Sequence, residues 1–273
     1  MQNRTKSLII LAVVMVIMLA VVGGVAAITD GELDGEGHPH VVLLLMEVGG
    51  EPAYRCSGTL LSPTYLLTAG HCTSNYPDEP YTGMRVFTES DVDNGDNDYP
   101  YASPPNSVEA VEWYAHPDYE TAPFFYNDVG VVILAEPIYL DDYGELPEVD
   151  ELDDYKTARG LNKLWFTAVG YGLQLVNPVH VMADRVRMVA YPRLIQINTG
   201  YVGDYSLLLS NNTNTGGTCF GDSGGPNFMF DSNVVGGITS YGNNGNCAGT
   251  GGVFRTDRQN VQDFIYDYWP EEG

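Results

Sequence analysis

Short apolar runs separated by turn residues dominate the chain and predict a protein built mainly from β-strands. The run Val41–Val48 is followed by Gly-Gly-Glu-Pro at 49–52, a sequence typical of a turn between two strands. Similar runs recur along the chain, at 59–61, 129–134, 164–169, 186–190 and 234–240. Heptads and internal repeats are absent from the sequence, so the pattern indicates an all-β architecture.

One stretch near the C-terminus has helical spacing instead. Its apolar residues follow the i, i+3, i+4, i+7, i+8 pattern of a helix with one buried face, namely Val261, Phe264, Ile265, Tyr268 and Trp269. We expect Thr256 or Asp257 to cap the helix and Pro270 to end it, which gives a C-terminal α-helix over about 257–269. The acidic stretch 141–159 is the predicted linker between two strand-rich halves, about 28–145 and about 160–255.

The first 27 residues have the order of a secretory signal peptide. Arg4 and Lys6 supply positive charge, an apolar run covers 8–22, and small residues lead to Ala27. We expect cleavage after Ala27, which leaves a mature domain over 28–273. The alternative is an uncleaved anchor, because 8–27 is long enough to span a bilayer. Both interpretations place the remaining chain outside the cytoplasm, with membrane contact only if the segment is retained.

Charge and cysteine content narrow the functional classes. The chain has 36 acidic and 12 basic residues, and its net charge of −24 argues against nucleic acid or anionic membrane as a partner. Its four cysteines suit an exported protein and do not have zinc-site spacing; their number alone allows three pairings. We expect no cofactor and no metal, because the acidic stretch 89–98 fails the EF-hand pattern and is interpreted as a solvated loop.

Three local motifs carry candidate chemistry. His71 follows Thr-Ala-Gly at 68–70, after an apolar strand, where a base could face a cleft. Asp128 opens an apolar strand, so its partly buried carboxylate needs a hydrogen-bonding partner such as an imidazole. Ser223 lies in Gly-Asp-Ser-Gly-Gly-Pro at 221–226, where flanking glycines let backbone N–H groups approach a substrate carbonyl.

The order of these residues along the chain selects one arrangement. The serine motif also matches G-x-S-x-G of α/β-hydrolases, but those enzymes place their catalytic histidine after the serine. Here all five histidines precede Ser223. The subtilisin order requires an aspartate well before the histidine, and only Asp30 and Asp34 precede His71. Of the three known chain orders of such a triad, only histidine, aspartate, serine is left.

Together these motifs resemble the signatures of the chymotrypsin–trypsin family of serine proteases. The resemblance implies two six-stranded antiparallel β-barrels with the active site between them. It implies a secreted serine endopeptidase that cuts protein or peptide substrates and acts as a monomer. His71, Asp128 and Ser223 would form the catalytic triad, and the N–H groups of Gly221 and Ser223 the oxyanion hole. A non-catalytic binding protein of the same fold is the alternative, and an esterase would share the mechanism.

The resemblance also implies further site residues. Gly217 occupies the position where trypsin-like members carry aspartate, so an uncharged pocket and a large apolar residue before the cut are expected. The substrate-binding residues would be Gly217, Thr218, Ser240, Tyr241, Gly242 and Gly252, with Ser240 also bonded near Asp128. The amine of Ile28, freed by signal cleavage, would pair with Asp222. The implied disulfides are Cys56–Cys72 and Cys219–Cys247.

Overall fold

The computed structural model describes residues 28–74, 80–119, 126–156, 164–177, 180–198 and 203–270, so the predicted signal segment lies outside the described residues. The described chain is mostly β-strand, with helix α1 (Gly70–Thr73), helix α2 (Gln259–Asp267) and two 3-10 turns at Glu151–Tyr155 and Gly203–Tyr205. The strands are β1 (Glu32–Leu33), β2 (Val41–Val48), β3 (Glu51–Ser62), β4 (Tyr65–Thr68), β5 (Gly83–Phe87), β6 (Val108–Ala115), β7 (Gly130–Leu134), β8 (Phe166–Gly170), β9 (Leu175–Asn177), β10 (His180–Met182), β11 (Met188–Ala190), β12 (Leu194–Ile197), β13 (Ser206–Asn211), β14 (Pro226–Met229), β15 (Val235–Gly242) and β16 (Gly249–Arg255).

The first half of the chain forms a closed antiparallel barrel with the strand order β2-β3-β4-β7-β6-β5. Closure is made by β2, which pairs with β3 on one side and with β5 on the other, where Leu43 faces Phe87. The predicted turn between β2 and β3 is present. Gly49 and Gly50 have φ values of 62° and 83°, a left-handed conformation that two-residue hairpin turns require.

The second half forms a curled eight-stranded sheet with the order β1-β11-β8-β14-β15-β16-β13-β12. Its two sides meet where the N–H of Phe166 donates to the carbonyl of Pro192 at 2.8 Å and that of Leu194 to Leu164 at 2.8 Å. β11 and β12 are separate because Pro192 has no N–H to continue the ladder. The predicted chymotrypsin-like fold is therefore confirmed, with β1 added at one edge of the second sheet.

The predicted linker is an ordered crossing between the two sheets. The N–H of Gly144 donates to Leu60 of the first barrel at 2.9 Å, and that of Glu145 donates to Asn233 of the second sheet at 2.8 Å. Farther along, Leu152 is buried in the core of the second sheet. Residues 157–159 of the predicted linker lie outside the described residues.

Helix α2 packs its predicted apolar face against the first barrel, but its predicted cap is wrong. The residue before the helix is Arg258, and no side chain caps the first turn. Thr256 instead donates its hydroxyl to the carbonyl of Val235. The carboxylate of Asp257 is committed to the buried guanidinium of Arg255, 2.8 Å away. Tertiary partners thus outcompete the local capping bond for both side chains.

A buried polar cluster ties the N-terminal segment to the second sheet. Arg187 is fully buried and donates to the carboxylate of Asp34 at 2.9 Å, to the carbonyl of Val41 at 3.0 Å and to the hydroxyl of Tyr171 at 3.1 Å. His40 lies beside this cluster, 2% exposed, and neither ring nitrogen has a hydrogen-bonding partner among the described residues. Burial lowers the pKa of His40 to about 4, and electrostatic interactions with His38 and Arg187 act in the same direction.

We expect His40 to make the fold labile to acid. Its pKa in the unfolded chain is about 6.5, so protonation favours the unfolded state as pH falls from there toward the folded value of about 4. The loss of unfolding free energy in this window should be on the order of 3 kcal/mol. Urea unfolding at several pH values should show a flatter profile for His40→Leu than for the wild type. If the unfolding free energy of the two proteins depended equally on pH, the acid lability could not be assigned to His40.

Candidate active site

Helix α1 presents His71 at the end of β4 and fixes it to the first barrel. The adjacent Cys72 forms a disulfide with Cys56 of β3, the pairing that the sequence resemblance implied. Nδ1 of His71 lies 3.1 Å and 3.0 Å from the two carboxylate oxygens of Asp128, and its backbone N–H donates to the same carboxylate at 2.9 Å. The backbone bond and the ring contact together restrict the orientation of the imidazole.

Asp128 is fully buried just before β7, and its hydrogen-bonding capacity is well used. Besides the contacts from His71, it accepts a short hydrogen bond from the hydroxyl of Ser240 in β15 of the second sheet. Burial acts to lower the pKa of His71, but the charge of Asp128 and its hydrogen bond outweigh burial and raise it. The arrangement therefore stabilises a protonated imidazole.

The loop that carries Ser223 is held against the first barrel. The N–H of Ser57 donates to the carbonyl of Ser223 at 2.8 Å, and the hydroxyl of Ser57 donates to the carbonyl of Gly221 at 3.0 Å. Gly221 has a φ of 97°, which a residue with a side chain adopts only under strain. The N–H groups at 222, 224 and 225 bond to backbone carbonyls, whereas within the described chain those of Gly221 and Ser223 have no protein acceptor. These two N–H groups, two residues apart in the chain, therefore have no acceptor among the described residues.

Asp222 is completely buried behind this loop. Its carboxylate accepts from the N–H groups of Gly172 at 2.7 Å and Cys219 at 2.8 Å. A Cβ on Gly172 would lie 2.4 Å from this carboxylate, and one on Gly170 2.3 Å, which explains the glycines around Tyr171. Burial raises the pKa of Asp222 to about 7, against the lowering effect of the two N–H donors.

The predicted partner of Asp222, Ile28, is buried at the start of the described chain. Its side chain packs against Met188 and Ala190. The next residue, Thr29, pairs with Gly217, whose N–H donates to the carbonyl of Thr29 at 3.1 Å. The N-terminal segment therefore contacts the chain at Gly217, and the pairing of the Ile28 amine with Asp222 stays a prediction.

A cavity of about 360 Å³ contains both His71 and Ser223 on its wall. The Cys219–Cys247 disulfide also lines it, and among the described residues no Asp, Glu, Lys or Arg side chain does. The remaining lining residues are Thr218, Phe220, Thr239, Ser240, Tyr241 and Gly242. Phe220 and Thr239 were not among the predicted site residues, because neither carries a motif of its own.

Two predicted pocket residues, Gly217 and Gly252, do not line this cavity. A Cβ on Gly217 would lie 2.4 Å from the side chain of Asn211, which fills that space and donates to the carbonyl of Thr218 at 2.8 Å. A Cβ on Gly252 would lie 2.2 Å from the ring of Tyr241. Asn211 thus holds the backbone of Thr218, which lines the cavity, and its sequence context did not indicate this role.

Comparison with known proteins gives a family match and several relatives. The family model described as Trypsin matches residues 31–265. Glandular kallikrein-10 of Rattus norvegicus is 24% identical over 213 residues, which cover 70% of this chain and 71% of that protein. Brachyurin of Leptuca pugilator is 26% identical over 233 residues, which cover 83% and 88%. Phenoloxidase-activating factor 3 of Holotrichia diomphalia is 29% identical over 230 residues, which cover 75% of this chain but only 62% of that protein.

The structural comparison gives the same fold. A solved structure described as HL collagenase has a TM-score of 0.65 and 20% identity, and it covers 88% of this chain and 97% of its own. Among the residues that the structure describes, no helix combines the length and apolar character needed to cross a membrane. With a family match over most of its length and relatives named as serine proteases, the chain belongs to the trypsin family.

Proposed function

We propose that this protein is a serine endopeptidase that cuts through a Ser223-bound acyl intermediate. The observation that carries the proposal is the buried Asp128 held on Nδ1 of His71, with His71 and Ser223 facing one cavity. The two unpaired N–H groups at Gly221 and Ser223 supply the remaining requirement of acyl transfer.

Each side chain then has a chemical role. Ser223 attacks the scissile carbonyl while His71 accepts its proton and later passes that proton to the leaving amine. Asp128 holds the imidazole in the tautomer that exposes Nε2 and stabilises the imidazolium form, consistent with the raised pKa of His71. The N–H groups of Gly221 and Ser223 bind the oxyanion, where loss of one such donor typically costs about 10²- to 10³-fold in rate.

Labelling with a fluorophosphonate probe tests the proposal. The probe reacts with serine hydroxyls that are activated by a base and an oxyanion hole, so we expect a single adduct on Ser223. Ser223→Ala is the matched control and should not be labelled. An unlabelled wild-type protein with an intact fold would favour the non-catalytic alternative.

We further propose that the protein works outside the cytoplasm after cleavage behind Ala27. The Cys56–Cys72 and Cys219–Cys247 disulfides support this location, because such bonds persist in oxidising compartments. One relative is named a venom serine protease, from Bombus ignitus. Mass spectrometry of exported protein should find Ile28 as the first residue, and any other start would refute the cleavage site.

The uncharged cavity predicts a preference for large apolar residues before the cut. An arginine or lysine side chain bound there would lose water without gaining a carboxylate partner, which disfavours it. We expect kcat/KM for phenylalanine or leucine peptides to exceed that for arginine peptides by at least about tenfold. Thr218→Asp, which adds a carboxylate to the cavity wall, should raise the relative rate on arginine. Equal cleavage of both peptides by the wild type would contradict the prediction.

A further inference from the structure

A second cavity, of about 380 Å³, brings together two arginine side chains, Arg55 and Arg185. Much of the remaining wall is apolar or aromatic and includes Leu45, Tyr99 and Pro100. None of the residues that line this cavity lines the one containing Ser223. It is therefore a separate recess with a concentrated positive charge.

These two arginines are exceptional among the basic residues that the structure describes. Others lie in ion pairs with carboxylates, namely Arg85, Lys156, Arg187, Arg255 and Arg258. Within the described chain Arg55 and Arg185 have neither an ion pair nor a side-chain hydrogen bond, and Nε of Arg185 is buried without an acceptor. In a chain with 36 acidic residues, two guanidinium groups without a carboxylate partner indicate a place for an external anion.

The charges around the cavity favour an anion inside it. Burial and the positive charge of Arg185 lower the pKa of Arg55, so the two guanidinium groups repel each other across the recess. Asp222 attracts Arg55, but its carboxylate is already held by two backbone N–H groups. Asp93 is an exposed part of the cavity wall and forms no ion pair with either arginine. An incoming carboxylate would relieve the repulsion and supply the missing acceptor.

The recess adjoins the nucleophile loop. Arg55 lies two residues before Ser57, whose N–H and hydroxyl bond to the carbonyls of Ser223 and Gly221. A Cβ placed on Gly221 would lie 3.2 Å from Nε of Arg55. Under the proposed function the first cavity receives the residue before the cut. A peptide that continues past Ser223 must then leave that cavity, and Arg55 is next to Gly221, one of the two proposed oxyanion donors.

We propose that Arg55 and Arg185 form a subsite for a carboxylate on the leaving part of the substrate, two residues after the cut. Two planar guanidinium groups suit the two oxygens of a carboxylate. This inference rests on the proposed peptidase function and adds a substrate class to it. The carboxylate belongs to an aspartate or glutamate side chain or to the C-terminus of the substrate, because both present the same group.

Quenched fluorescent peptides with an identical residue before the cut test the subsite. The series compares glutamate with glutamine two residues after the cut, each as a C-terminal amide, and adds a glutamine peptide that ends there in a free carboxylate. We expect about a tenfold higher kcat/KM for at least one carboxylate peptide at low salt, and a smaller advantage in 1 M NaCl. The peptide that gains identifies the source of the carboxylate. Equal rates for all three peptides would overturn the inference.

Variants and a simple ester separate this inference from the proposed function. Arg55→Gln and Arg185→Gln should each reduce the glutamate-to-glutamine ratio toward one, whereas Asp93→Asn should raise it. Arg258→Gln makes the same charge change at a site paired with Asp150 and should leave the ratio unaltered. An ester substrate has no residues after the cut, so an enzyme that hydrolyses it without discriminating among the peptides would refute only the subsite. Failure on the ester as well would refute the peptidase function.

Discussion

Asp128→Asn is expected to lower kcat by about 10⁴-fold, the loss seen when the same change is made in well-studied enzymes with this triad. The physical reason is visible in the contacts of His71. Asparagine presents an N–H₂ group in place of one oxygen, so the imidazole no longer holds its proton on Nδ1. The negative charge that stabilises the imidazolium also disappears, so the acidic limb of the pH–rate profile should move to lower pH. Steady-state kinetics on a peptide substrate from pH 5 to 9 measures both effects.

Two companion variants separate charge from geometry in this prediction. Ser240→Ala removes one hydrogen bond to Asp128 but keeps the carboxylate, so its loss should be about tenfold or less. Ser223→Ala removes the nucleophile and should lower kcat by about 10⁶-fold, which gives the lowest rate expected among these variants. Asp128→Asn with near wild-type kcat would show that the structure's His71–Asp128 contact does not serve catalysis.

Asp222→Asn is expected to lower kcat/KM by roughly 10²- to 10³-fold, because it leaves the proposed Ile28 ammonium buried without a counterion. Removing one partner of a buried ion pair typically costs about 3–5 kcal/mol. Here that free energy would be lost from the loop conformation that positions the N–H groups of Gly221 and Ser223. Asp222 lies between Gly221 and Ser223, and its carboxylate already holds the N–H of Cys219. Kinetics on protein whose N-terminus has been verified by mass spectrometry measures the loss.

The same pairing predicts a loss of activity at high pH. A free α-amine has a pKa of about 7.7–8.0, and pairing with Asp222 raises that value. While Asp222 is ionised, the stabilisation is present below about pH 8, and it is lost as pH rises through the raised pKa of the amine. One extra glycine before Ile28 displaces the amine and should reproduce the effect of Asp222→Asn. Asp231→Asn, an exposed change of the same charge, is the control. Full activity in the extended protein would contradict the pairing.

Local patterns predicted the elements well because they depend on neighbouring residues. The apolar run of β2 and the glycines after it specify a strand and a tight hairpin within ten residues. The apolar spacing of α2 likewise identifies a helix and its buried face. The helix cap could not be predicted in this way. Thr256 and Asp257 are good local caps, but contacts with Val235 and Arg255 engage them first.

The sequence by itself determined the class of fold, the order of the candidate triad and the absence of a charge at Gly217, because each is written in a short motif or in the order of motifs. Only the tertiary structure decided which distant side chains meet. It placed Asn211 against the carbonyl of Thr218, and Arg55 in one cavity with Arg185. Barrel closure and the packing of the two sheets set these contacts between residues far apart in the chain, and no local pattern encodes them.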